Sequence, residues 1–173
     1  NGNQTLYDYQ YFADGAETPN YRNVHRYTYD AQGNTLTRIY ANYNGTETPH
    51  QEYGYTYTYN EKGLRKTYDY FWKDNGELVQ VRHTEYEYDE QGRELSETEW
   101  DDSRNDGDTE YDSMERYSYR YDEQGREVYE NYEEDDELDG VFEYFESSSY
   151  EYNADDQITK ETYLEGERSI VNE

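Results

Sequence analysis

The sequence predicts an all-β fold, an antiparallel meander of about a dozen strands in an extended or curled sheet. Three observations carry that prediction. The pattern Tyr-x-Tyr-Asp/Asn-x-x-Gly recurs along the chain, nearly letter for letter between residues 86–94 and 119–127. A second glycine series, Gly15, Gly45, Gly76, Gly107 and Gly140, interleaves with the first. Finally, the 26 tyrosines among 173 residues are set largely at the two-residue period of a strand.

Each copy of the pattern reads as a strand end, a tight turn and the start of the next strand. Tyrosines at i and i+2 share one face of a strand and suit a half-buried pleated surface. Asp or Asn then opens a turn by hydrogen-bonding the backbone ahead, and Gly supplies a residue with positive φ. The copies are Tyr27, Tyr29, Asp30 and Gly33; Tyr57, Tyr59, Asn60 and Gly63; Tyr86, Tyr88, Asp89 and Gly92; and Tyr119, Tyr121, Asp122 and Gly125. The fifth, Tyr150, Tyr152 and Asn153, has Asp156 where glycine would stand. Most second-series glycines follow Asp or Asn, a hairpin signal in its own right. The spacing within each series is 29 to 33 residues. One domain over 1–173 is therefore expected, in two-strand units at 2–32, 33–62, 63–91, 92–124 and 125–156, with a terminal hairpin at 157–173.

In order, Tyr7, Tyr9 and Tyr11 alternate along a first strand, turned at Asp14-Gly15. Pro19 and Pro49 each follow a second-series glycine, where a loop or a strand's first residue accommodates proline. The strands at 35–40 and 68–72 are the more apolar ones, and 96–100 is acidic. The run of five acids at 133–137 reads as a solvated bulge or hairpin tip. A last hairpin is expected around Gly166, with 169–171 as its short second strand.

Leu, Ile, Val and Phe together number only 20, and the formal charge is −28, a balance usually associated with disorder. The placed tyrosines argue instead for order, since each ring buries a large area while its hydroxyl stays wet. Residues 85–151 hold 27 acids against 5 bases, whereas residues 1–84 hold 10 against 8. Such acidity disfavours nucleic acid and anionic membrane as direct partners, and no run has the length and apolarity to insert into a bilayer. With no cysteine, neither disulfides nor thiolate metal sites exist. The chain begins at Asn1, which reads as a leader removed or a fragment of something longer.

Chemistry is sparse. His25, His50 and His83 show no ligand spacing, no Ser/His pairing suggests a nucleophile, and carboxylates are too abundant for one catalytic pair to stand out. The chain is read as non-enzymatic. Calcium is the one cofactor considered, at Asp101, Asp102, Asp106 and Asp108, although Arg104 occupies a ligand position of that loop.

The repeated Tyr-x-Tyr-Asp-x-x-Gly-Arg of 86–93 and 119–126 resembles the tyrosine-aspartate (YD, or Rhs-type) repeats of bacterial surface and toxin-delivery proteins. The resemblance covers nearly the whole chain and implies a strand-rich, non-enzymatic scaffold, extracellular or on the cell surface. A weaker likeness is to aromatic hairpin repeats that bind cell-wall choline or glucans, whose tryptophan is represented here by Trp72 and Trp100. The expected role is thus structural or adhesive, with a second copy, another surface protein or a glycan as partner. A carbohydrate-binding module using the tyrosine faces, and an acidic cation-binding or protein-inhibitory module, are the alternatives. The stretch at 5–11 has no lysine, arginine or proline to cap an edge, so head-to-tail association into a fibre is expected.

Overall fold

In a computed structural model of the chain, residues 5–102 and 110–167 are described, and they are all-β. The strands are β1 (Leu6–Tyr11), β2 (Tyr21–Tyr29), β3 (Thr35–Tyr43), β4 (Gln51–Tyr59), β5 (Arg65–Asp74), β6 (Glu77–Tyr88), β7 (Glu94–Asp101), β8 (Ser113–Tyr121), β9 (Glu127–Asp135), β10 (Tyr144–Tyr152) and β11 (Ile158–Glu167). They form one meander sheet in strict chain order, each strand hydrogen-bonded to its sequence neighbours. Gly107 and the strand expected at 169–171 lie outside the described residues.

All five pattern turns adopt one geometry. In each, the Asp or Asn side-chain oxygen accepts the backbone N–H groups of the second and fourth residues beyond it, at 2.8–3.0 Å. Its backbone carbonyl accepts the N–H of the glycine, or of Asp156 in the fifth, at 2.9–3.2 Å. Gly33, Gly63, Gly92 and Gly125 have φ between 76° and 95°, and Asp156 takes the same region at 60°. Asp or Asn is needed because the turn has inward N–H groups to satisfy, and glycine because its backbone is left-handed. In four of these hairpins the register shifts by one residue at the second tyrosine: Tyr29, Tyr59, Tyr121 and Tyr152. A β-bulge thus flanks each of those turns, its extra residue on the outgoing strand: Leu36, Lys66, Val128 and Thr159.

The x position of Tyr-x-Tyr meets a complementary partner across each hairpin. Thr28 bonds Thr37 at 2.7 Å, Thr58 bonds Thr67 at 2.8 Å, and the Ser96 hydroxyl donates to Glu87 at 3.3 Å. Arg120 lies 4.6 Å over the Tyr129 ring, and Lys160 pairs with Glu151 at 2.7 Å. These cross-strand pairs hold the register, each contributing roughly 0.2–1 kcal/mol.

The chain divides into two compact units, residues 1–83 with 102–110, and residues 84–101 with 111–173. In the first unit one face carries the small apolar core: Val24 opposite Ala41, with Tyr43, all buried. Gly54 belongs to that face because the Phe71 ring lies over it; a Cβ there would meet the ring at 2.6 Å. Gly166 in the second unit has the same relation to Phe145, at 2.7 Å. The expected hairpin around Gly166 is therefore corrected: Gly166 lies inside β11, opposite Phe145 in register, where the ring fills the space a side chain would take.

Candidate functional site

The faces opposite these packed surfaces gather the tyrosines. In the first unit one cross-strand row runs Tyr7, His25, Tyr40, Tyr53, Trp72, and the next runs Tyr27, Arg38, Tyr55, Tyr70. The rings engage one another: Tyr40 and Tyr53 stack at 4.9 Å and 14°, Tyr55 and Tyr68 at 5.7 Å and 22°. The Arg38 guanidinium lies 5.9 Å from the Tyr27 and Tyr40 rings and donates to the Tyr40 hydroxyl at 2.9 Å. Arg38, Tyr40, Tyr53, Tyr55, Tyr57 and Tyr68 line an open trough of about 410 Å³.

The second unit interleaves tyrosine with glutamate. Its rows run Glu97, Tyr117, Tyr132, Glu146, Glu165, and beside it Glu99, Glu115, Glu134, Tyr144, Glu167. Within β7–β11 the registers place Arg116, Arg120 and Lys160 on the opposite face. Direct Glu–Glu neighbours across strands are destabilising by local rules, so the concentration of charge is a cost the fold carries. It shows in the side chains. Burial and then Glu94 push the Tyr119 hydroxyl up to about 12, and burial with Glu115 and Glu134 raises Tyr132. The Glu134 carboxyl is raised by burial, then by Asp136 and Glu115.

The pattern residues are drawn into staples between successive turns. The Tyr59 hydroxyl donates to the Thr35 carbonyl at 2.8 Å, and the Tyr152 hydroxyl to the Glu127 carbonyl at 2.7 Å. Arg93 bonds Asp89 at 2.6 Å and covers the Tyr121 ring at 4.6 Å. Arg126 repeats this on Asp122 at 2.7 Å and on Tyr152 at 4.7 Å, and extends to Asp156 at 2.8 Å. The arginine of one turn thus lies on the second tyrosine of the next. Partial burial raises the Asp89 and Asp122 carboxyls, but the backbone N–H and guanidinium of Arg93 and Arg126 outweigh it and hold both below the usual range. Asp30 is held low in the same way, with Asn34 in place of arginine.

Of the calcium residues read from sequence, Asp101 ends β7 and Asp102 follows it, 2% exposed, with its N–H on the Val81 carbonyl at 3.1 Å. Asp106 and Asp108 lie outside the described residues. A second acidic group, unforeseen in the sequence, brings ligand atoms of Asp135, Asp139 and Glu143 within 4.8 Å of one another. Asp135 is 1% exposed, and its carboxylate accepts the N–H groups of Glu137, Asp139 and Gly140 at 3.3, 3.2 and 2.9 Å. That carboxylate organises the hairpin tip from inside, while residues 136–140 around it are exposed, as a solvated tip is. The histidines are each engaged: His25 between the Tyr7 and Tyr40 rings, His50 on Asn75 at 2.9 Å, and His83 on Asp69 at 2.7 Å.

No protein-family model and no curated protein matches this chain. Fold and turns define an all-β antiparallel meander whose recurring residues hold turn to turn.

Proposed function

We propose that the chain is a non-enzymatic structural or adhesive β-repeat module of the tyrosine-aspartate type, working outside the cell and associating head to tail through its outermost strands. The observation that carries this reading is the fate of the pattern residues. The second tyrosines, the turn Asp/Asn and the arginines bond backbone and one another, as scaffold residues do. The tyrosine rings likewise pack on their neighbours, stacked at Tyr40–Tyr53 and Tyr55–Tyr68 and tilted at Tyr117–Tyr132, which favours packing over a sugar platform.

Association is supported by β1 and β11, which are the outermost strands among the described residues and are exposed almost throughout. Leu6 and Tyr11 are each 56% exposed, and Leu164 is 59%. The one charge on β1, Asp8, is neutralised by Arg22 at 2.7 Å, which removes the usual edge protection. Light scattering and electron microscopy of the chain with and without residues 1–12 test the reading. Concentration-dependent assembly that the deletion abolishes is expected; protein that stays monomeric at high concentration, unchanged by the deletion, sinks it.

The glutamate rows of the second unit favour one other reading, a surface that holds a basic protein partner. Binding of such a partner that weakens steeply with salt supports it, and salt-independent binding counts against it.

A further inference from the structure

Tyr117 on β8 and Tyr132 on β9 stand directly opposite one another, ring centroids 4.9 Å apart and 44° between planes. Both line an open trough of about 340 Å³ with Glu130, Glu146 and Tyr163, so a small oxidant has access to them. Their surroundings are anionic: Glu97 faces Tyr117, Glu146 faces Tyr132, and Glu130 lies in the next row. Glu134 stands two residues along β9 from Tyr132, on the same face of the strand, and its charge is among those that raise the Tyr132 hydroxyl.

We propose that Tyr117 and Tyr132 are a site of oxidative modification, joined as an intrachain dityrosine when a peroxidase-class one-electron oxidant acts on the protein with hydrogen peroxide. Each phenol loses one electron to the oxidant and its hydroxyl proton to a base. For Tyr132 that base is Glu134, its same-face neighbour two residues along β9. The two phenoxyl radicals couple between ring carbons ortho to the oxygens, forming one C–C bond. The two ortho hydrogens then pass to the oxygens by tautomerisation, restoring both phenols. The net loss is two protons and two electrons, which reduce one hydrogen peroxide to two waters. In a chain without cysteine this is a covalent staple between adjacent strands that needs no disulfide.

Electrostatics selects this pair over a better-stacked one. Tyr40 and Tyr53 are also 4.9 Å apart and more nearly parallel, at 14°. There, however, the Arg38 guanidinium donates to the Tyr40 oxygen at 2.9 Å. A cation beside a ring opposes removal of an electron, and carboxylates beside it favour removal, with an effect that is large at such short range. The open Tyr9, Tyr11 and Tyr163, all exposed, are the competing sites for links between chains.

The test treats dilute full-length protein with a peroxidase and limiting hydrogen peroxide, followed by intact mass, dityrosine fluorescence and peptide mapping. The expected first product is a monomer lighter by two hydrogen atoms, whose cross-linked peptides join Tyr117 to Tyr132. Tyr117→Phe and Tyr132→Phe should each abolish that product while keeping the circular dichroism of a sheet. Glu134→Gln, which keeps the side-chain shape, should slow its appearance several-fold, and Arg38→Gln should raise the yield at Tyr40 and Tyr53. A first product at Tyr40 and Tyr53 in the unaltered protein, or links confined to Tyr9, Tyr11 and Tyr163 between chains, overturns the proposal. An unchanged rate in Glu134→Gln overturns its proton-transfer step. The unaltered map and the Glu134→Gln rate decide the matter even where a phenylalanine variant fails to fold.

Discussion

The Tyr152 hydroxyl donates a hydrogen bond of 2.7 Å to the backbone carbonyl of Glu127, the residue at which the preceding pattern turn releases its next strand. Tyr59 makes the same bond to Thr35 at 2.8 Å. At a bulge the ladder is locally disrupted, and the phenol gives the strand-start carbonyl there a further donor. Removing the hydroxyl while keeping the ring isolates that bond. Tyr59→Phe and Tyr152→Phe should each lower unfolding free energy by about 0.5–1.5 kcal/mol, with Tyr9→Phe close to neutral, as measured by denaturant titration. Three equal midpoints would remove the staple from the account.

Gly63 is held by backbone conformation alone. Gly63 has φ 76°, and nothing lies within 4 Å of the point a Cβ would occupy, so a substitution there meets no neighbour. Gly63→Val should therefore cost about 1–2 kcal/mol or more through left-handed backbone strain. Gly63→Asn should cost less, because Asp156 already occupies the equivalent position at φ 60°. Melting temperatures should rank glycine, asparagine, valine from high to low; asparagine and valine falling together would count against strain as the cause.

Gly54 makes the opposite case. Its Cβ would lie 2.6 Å from the Phe71 ring and 3.1 Å from the Arg38 carbonyl, so steric room decides. Gly54→Ala should destabilise by roughly 1–3 kcal/mol, the range for overpacking. The double variant Gly54→Ala with Phe71→Leu should lose less than the sum of the two single changes. Simple additivity in that cycle would show that the ring and the glycine are not coupled.

Much of this architecture is legible in the letters, for a physical reason. A tight turn demands particular residue types at fixed offsets, so Asp89 and Gly92 announce themselves. Tyr27 and Tyr29 likewise announce a strand face. What the letters withhold depends on register. Glu151 and Lys160, or Arg120 and Tyr129, are complementary only once the bulge sets them opposite. Gly166 reads as another turn because glycine serves both turns and close packing, and only the Phe145 ring across the pair distinguishes them. Asp135 reads as one acid among five. Its burial follows from the three N–H groups that the tip of that hairpin turns toward it.

Stability should pass through a maximum in mildly acidic solution, and two sets of carboxyls set its sides. Burial, followed by like charges, raises the folded-state pKa of Glu134, with Asp136 and Glu115 the neighbours; Glu127 is raised by burial and then Glu130. A carboxyl raised in the folded state binds its proton more tightly there than in the unfolded chain. Stability therefore increases as pH falls from above the folded value toward the unfolded one, near 4.3 for glutamate. Asp30, Asp89 and Asp122 act with the opposite sign: their folded values are lowered, so their stabilisation is present above about 3.9 and is lost as pH falls below it. Melting temperature followed from neutral pH downward should rise, peak above the aspartate range, and then drop. Glu134→Gln should flatten the rise, and Asp89→Asn should soften the drop. Salt at neutral pH should reproduce part of the rise and saturate near 0.15 M, where screening acts beyond about 8 Å. A melting temperature that only falls from pH 7 downward, or that ignores salt, would mean that the glutamate rows repel too weakly to matter.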